Sequence, residues 1–200
     1  MMLVEETSVP PSALPVDEFK AHLRLGSGFS DGSLQDSVLE SFLLAAMSAI
    51  EARTGKILLE RQFSWTLAGW RNDQAQGMPV APVSEVISVE LVDRLGEAAT
   101  VAPSAYRLVQ DHHRPVIKPI GSCLPMVPTD GSVVTVFVAG FGAEWGDVPG
   151  DLRQAMLLLA AHYYEFRHEI SLQSGCVPFG VTSLLERYRS LRIHMGASQQ

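Results

Sequence analysis

Charge is scarce in this chain, and what there is leans acidic. Only 18% of the 200 residues are Asp, Glu, Lys or Arg, and 15 basic against 22 acidic side chains leave a formal charge of −7. Such a surface does not neutralise phosphates, so general non-specific nucleic-acid binding is excluded. Cysteine is scarcer still. Cys123 and Cys176 stand too far apart for a metal or redox spacing, and two cysteines do not staple a chain of this size, so both read as free thiols. Long apolar runs are missing: the stretches 42–50 and 156–161 are too short to cross a bilayer. The first residues, Met1-Met2-Leu3-Val4-Glu5-Glu6, lack the basic region and apolar run of a signal peptide. These absences together predict a soluble protein kept in a reducing compartment, with no membrane partner. No repeat or low-complexity tract is present.

What the chain does have is apolar content, 46% of its residues, enough to bury a real core. Its organisation is read from periodicity. Residues 1–14, with Pro10 and Pro11 and scattered acids, read as a flexible leader. A short helix is expected over Val16–Leu25, with Phe19 and Leu23 inward. A longer one is expected from Leu34 to Thr54, capped by Asp31 or Ser33 and stopped by Gly55 in the left-handed conformation. From residue 57 the pattern changes to alternation and β-branched runs: Arg61–Trp70, Glu85–Val92, Ala105–Val109, Pro115–Lys118 and, most clearly, Val133–Ala139. Helical spacing returns over Asp151–His168, where Leu152, Ala155, Met156, Leu159, Tyr163 and Phe166 share a face and Asp151 is placed to cap. Beyond the Gly/Pro break 174–180, the segment Val181–Met195 carries Leu184, Leu185, Tyr188 and Leu191 on one stripe, with Arg187, Arg189 and Arg192 beside it.

The expected fold class is therefore α+β: a helical bundle framework, made by the N-terminal and C-terminal helices, with an inserted small antiparallel β-module. Its parts are the leader 1–14, framework 15–56, the β-module 57–147, framework 148–172, and a C-terminal docking helix and tail 173–200.

No catalytic constellation stands out, and no cofactor or metal site is expected. Adjacent His112 and His113 on a strand would point to opposite faces, so Asp111-His112-His113 reads as a polar turn rather than a metal site. His162 and Glu165 lack the second Glu-x-x-His helix of a carboxylate-bridged metal site. The run Gly140-Phe141-Gly142-Ala143-Glu144-Trp145-Gly146 lacks the Lys-Ser/Thr of a phosphate loop and reads as a flexible connection. Trp65 belongs in a core, whereas Trp70 and Trp145 fit a partner contact and a core position equally well.

Several of these features occur in a telling order: Glu18-Phe19-Lys20-Ala21-His22-Leu23-Arg24; Ile50-Glu51-Ala52-Arg53-Thr54-Gly55; the β-rich stretch from Pro82-Val83 to Ala139-Gly140-Phe141-Gly142; Val148-Pro149-Gly150-Asp151-Leu152-Arg153-Gln154-Ala155-Met156 leading to Ala160-Ala161-His162-Tyr163-Tyr164-Glu165; and Pro178-Phe179-Gly180-Val181 before Leu184-Leu185-Glu186-Arg187-Tyr188-Arg189. The series resembles the head–tail connector, or adaptor, proteins of long-tailed double-stranded DNA phages and phage-like gene transfer agents, over about Val16 to Arg192.

The resemblance implies a non-enzymatic structural protein of the virion or gene transfer agent particle, made in the cytoplasm of the producing bacterium. It implies a homo-oligomeric ring of about twelve subunits beneath the portal protein, meeting the next neck, stopper or tail protein. Double-stranded DNA would pass through the lumen without sequence recognition, past an acidic surface that keeps the duplex from sticking. It also makes Val181–Met195 the portal-binding candidate, with Leu184, Leu185, Tyr188 and Leu191 as apolar anchor and Arg187, Arg189 and Arg192 setting register. The alternatives are a different neck or tail-completion protein and, third, a small-ligand or metal-binding enzyme using the β-module around His112, His113 and Glu144.

Overall fold

A computed structural model describes residues 1–25, 33–167 and 178–189. The protein is mixed α+β, with two hydrophobic cores, one among helices and one among strands. Helix α1 spans Val16–His22, α2 Ser33–Thr54, α3 Gly150–Glu165 and α4 Phe179–Leu185. Helix α2 buries Leu39, Leu43, Ala46, Met47 and Ile50, the three-and-four spacing of one helical face, against Leu152, Ala155, Met156 and Leu159 of α3. Phe19 of α1 closes the end of this core. Helix α2 stops where expected: Gly55 adopts φ +67° and its N–H donates to the Glu51 carbonyl at 2.8 Å. The residues expected to cap its start, Asp31 and Ser33, lie outside the described side chains.

Among the described residues, seven of the eight strands run between α2 and α3 in the sequence. Strands β1 (Met2–Glu5), β2 (Arg61–Leu67), β4 (Val83–Val92), β5 (Ala98–Thr100) and β8 (Ser132–Ala139) form one antiparallel sheet in the order β1-β2-β8-β4-β5. Strands β3 (Gln76–Gly77), β6 (Tyr106–Val109) and β7 (Val116–Pro119) form a second, in the order β3-β7-β6. The second core joins Phe63, Trp65, Val133 and Phe137 of the large sheet to Tyr106 and Ile117 of the small one. Strict alternation on β2 and β8, buried then half-exposed, shows that only one face of the large sheet is covered by this core. Register shifts on β4 at Ser84 and Ile87 mark bulges in its pairing with β8.

Three expectations need correction. The leader is not loose: β1 pairs with β2 from Met2↔Thr66 to Glu5↔Phe63, and Val9 and Leu14 are buried in the helical core. Its prolines build a short 3-10 turn at Pro11–Ala13 rather than a mobile arm. Asp151 does not cap α3, because the chain turns into the helix two residues earlier and Pro149 occupies the cap position. The glycine run is not a flexible connection either. Phe141 N–H donates to the Leu58 carbonyl at 3.2 Å, and Glu60 N–H to that of Gly142 at 2.8 Å.

Gly140 is the point of that run pressed against main chain. It holds φ +144°, and a Cβ there would collide with the backbone of Leu59 and Glu60. Gly140→Ala is expected to destabilise the protein by about 2–4 kcal/mol, combining a left-handed strain with overpacking against rigid main chain. Urea unfolding would read this as a fall in the midpoint at unchanged slope.

Where the two cores meet, one arginine bridges them. Arg61 at the start of β2 is buried, and its Nη2 donates to both Glu51 oxygens on α2 at 2.6 Å. Its Nη1 reaches Glu5 of β1 at 2.9 Å. Glu51 also accepts the Leu58 N–H at 2.9 Å. Burial pushes the Glu51 carboxyl up from the ordinary carboxylate value, with Arg61 opposing that shift.

Candidate docking site

The polar residues that invite a catalytic reading do not assemble one. Asp111 Oδ1 accepts the N–H groups of His113 (2.6 Å) and Arg114 (2.7 Å), which hold its carboxyl below the ordinary range. Lys56, buried beside this turn, donates Nζ to the carbonyls of His112 (2.8 Å) and His113 (3.3 Å). Burial lowers its pKa. A cleft of about 430 Å³ runs between Val83, Gln110, His112 and Phe141, with the imidazole of His112 parallel to the Phe141 ring. Its one carboxylate, Asp111, is already committed to the turn. On α3, His162 lies against the Phe166 ring at 4.7 Å. Among the described residues no three His, Cys, Asp or Glu side chains gather as a metal site, and no helix is long and apolar enough to cross a membrane.

The three tryptophans settle differently. Trp65 is buried. Trp70 donates its indole N–H to the Pro125 carbonyl at 2.8 Å, and Trp145 donates to Glu18 of α1 at 2.9 Å. Both are half-buried and serve as struts within the chain, which ties the glycine run to the first helix.

The C-terminal segment is built more tightly than its sequence suggests. Pro178 starts α4, and a 3-10 turn at Glu186–Tyr188 follows it. Val181, Leu185 and Tyr188 are buried in the helical core, and Leu184 packs partly against it. The Tyr188 hydroxyl donates to Asp151 Oδ1 at 2.7 Å, and Arg187 pairs with Asp151 Oδ2 at 3.2 Å. One carboxylate on the first turn of α3 therefore receives both Tyr188 and Arg187, adding to the burial of Val181 and Leu185. The apolar stripe expected to anchor on another molecule is largely covered within its own chain: Leu185 and Tyr188 are buried in the helical core beside α3. Arg187 and Arg189 remain open, with side chains 72% and 50% exposed. Leu191 and Arg192 lie outside the described residues.

Burial and the Asp151 hydrogen bond push the Tyr188 phenol up to about 12. The folded value lies above the unfolded one near 10, so the neutral phenol stabilises docking fully below pH 10. That contribution is lost as pH climbs through 12. Tyrosine fluorescence is ill suited to three tryptophans, so amide exchange over 181–188 is the readout. Protection should fall between pH 10 and 12 in the wild type before the rest of the helical core opens, and Tyr188→Phe should lose this step.

No protein-family model matches the chain, and no curated protein does. Solved structures do. The chain is 50% identical to one in the neck of an empty GTA particle computed with C6 symmetry, covering 98% of this chain and 99% of that one with a TM-score of 0.89. It is 49% identical to a chain in the virion of a native gene transfer agent (GTA) particle, with TM-score 0.86, and 46% identical to one in the neck of a native GTA particle computed with C12 symmetry, with TM-score 0.84. Both of these cover 98% of this chain and 99% of the other. The chain belongs to the head–tail connector, or adaptor, family of long-tailed phages and gene transfer agents.

Proposed function

We propose that this protein is a neck component of a gene transfer agent particle, standing at the head–tail interface as a ring of about twelve copies beneath the portal. The observation that carries this reading is identity near one half, over almost the full length, to neck chains whose particles were computed with C12 and C6 symmetry. The ring joins the portal above to the next neck or tail protein below. DNA passes through its lumen without sequence recognition, past a chain whose net charge of −7 repels the duplex.

The C-terminal segment from Val181 onward is the portal contact in this proposal. With Leu185 and Tyr188 docked on α3, the exposed Arg187 and Arg189 and the residues beyond them meet the portal first. The buried stripe either stays as the platform for that contact or leaves α3 to insert. A density map of the intact neck tests the reading. The expected result is a cyclic ring of this chain, coaxial with the portal and touching it through residues after 180. A ring lying one layer further down, with another protein between it and the portal, would overturn the adaptor assignment in favour of a different neck protein.

A further inference from the structure

Among the described residues two surfaces are exposed and poor in charge, and they differ in shape. The first is the outer face of α2. Val38, Ser41, Leu44, Ala45, Ser48 and Ala52 are all exposed and fall on one helical stripe. Val38 is 47% exposed and Leu44 39%. The charged residues of the same span, Glu40 and Glu51, sit at the flank and are half-buried. An exposed helix of a soluble protein ordinarily turns a charged face to water, so this one is anomalous.

The second surface is the back of the large sheet. Alternation puts Arg61, Phe63, Trp65 and Leu67 of β2 inward, Arg61 reaching α2, so Ser64 and Thr66 point away from that helix. Their neighbours across the register are Val4 on β1 and Val134 and Val136 on β8, with Val138 one step along. Val4 is exposed, the β8 valines are half-exposed, and none of them belongs to either hydrophobic core. The charged side chains the register places on this face, Glu85 and Glu90, lie toward the β4 side.

We infer that the outer face of α2 of one copy packs onto the open sheet face of the next, and that this helix-on-sheet joint, repeated, closes the ring. The inference rests on the ring reading above. Symmetry selects the pairing. In a cyclic ring of more than two members every joint is heterologous, one surface meeting a different one, whereas α2 against α2 or sheet against sheet generates a two-fold dimer. Size agrees as well. From Val38 to Ala52 a helix rises about 21 Å, and the seven residues of β2 extend about 20 Å, so a helix laid along β2 and β8 stays on the valine side of the face, away from Glu85 and Glu90. Small side chains on α2 let the helix approach the pleat closely, and the valine row supplies apolar area without an unpaired charge to bury.

The test uses full-length chain assembled in particles. Val136→Lys and, separately, Leu44→Glu should each lower incorporation into necks at least tenfold while the free protein melts as the wild type does. Should Val136→Lys itself melt early, Ser64→Lys, at an already polar and half-exposed position, takes its place. In a background where Cys123 and Cys176 are Ser, cysteines at Ser41 or Ser48 are paired with cysteines at Ser64 or Thr66 and particles are oxidised. A ladder of covalent multimers from at least one pair, and none from single variants, supports the joint. Normal incorporation of the lysine variant, no ladder from any pair, or a dimer from Ser48→Cys alone would each overturn it. Failure of the ring reading itself looks different: wild-type necks would then hold no cyclic ring of this chain.

Discussion

Arg61→Ala is expected to lower stability by about 3–5 kcal/mol, a large part of what a domain of this size possesses. The loss comes less from the missing bonds than from what they leave behind. Glu51, with its side chain 11% exposed, would stand buried with no cation, and Glu5 would stand close to it. The variant should respond to pH with a definite sign. In the fold, burial already raises the Glu51 pKa, and deleting Arg61 removes the group opposing that rise. The neutral acid is then the form the fold tolerates, so the variant's deficit should shrink as pH falls toward the unfolded value near 4.5 and grow as pH rises through the folded one. Guanidinium melts at pH 5 and pH 8 would read this directly. Arg61→Met combined with Glu51→Leu should recover much of the loss, since buried pairs replaced by apolar residues are often neutral. A deficit under about 1 kcal/mol at pH 8 would mean that the triad is solvated in solution.

The second large effect concerns the C-terminal segment, and the structure changes how the experiment must be built. Ending the chain after Gly180 would remove Val181, Leu185 and Tyr188 from the helical core, each buried side chain being worth about 1.5–3 kcal/mol. That variant should unfold or aggregate, and its failure to join capsids would say nothing about docking. Ending the chain after Arg189 keeps the core and the Asp151 contacts intact. It is expected to melt as the wild type does and yet to lose attachment to portal-bearing capsids by a factor of 100 or more, because a loss at each subunit is multiplied around a multivalent ring. Normal attachment of this shorter chain, measured by co-sedimentation with portal-bearing capsids, would remove residues 190–200 from the portal contact.

Much of the fold was legible from local pattern. Helices α2 and α3 and strand β8 are long, strongly periodic and satisfied by partners close to the expected places, and Gly55 ends α2 for a reason visible in the residue itself. What local pattern missed depends on distant partners. Four residues of β1 become a strand only because β2, some sixty positions on, offers an edge and Arg61 awaits Glu5. The two-residue β3 and three-residue β5 carry too few residues to make a pattern. The C-terminal stripe was recognised as amphipathic, but amphipathicity states that a face will be covered, not by whom. Tyr188 has its answer in Asp151, which reads in sequence as a simple helix cap. The charge-poor face of α2 escaped that reading, because Val38, Ser41, Leu44, Ala45 and Ser48 stand out only once the opposite face is placed against α3.

The strand order has a consequence for how the protein is made. β8 is the middle strand of its sheet, hydrogen-bonded to β2 and β4 on either side, yet it leaves the ribosome after every other described strand. Until residue 139 has emerged, β2 and β4 have nothing between them, and α2 waits longer still for α3. A nascent chain therefore presents no finished surface to its siblings until more than two thirds of it is translated, and non-local pairing of this kind favours slow maturation of each copy before the copies meet.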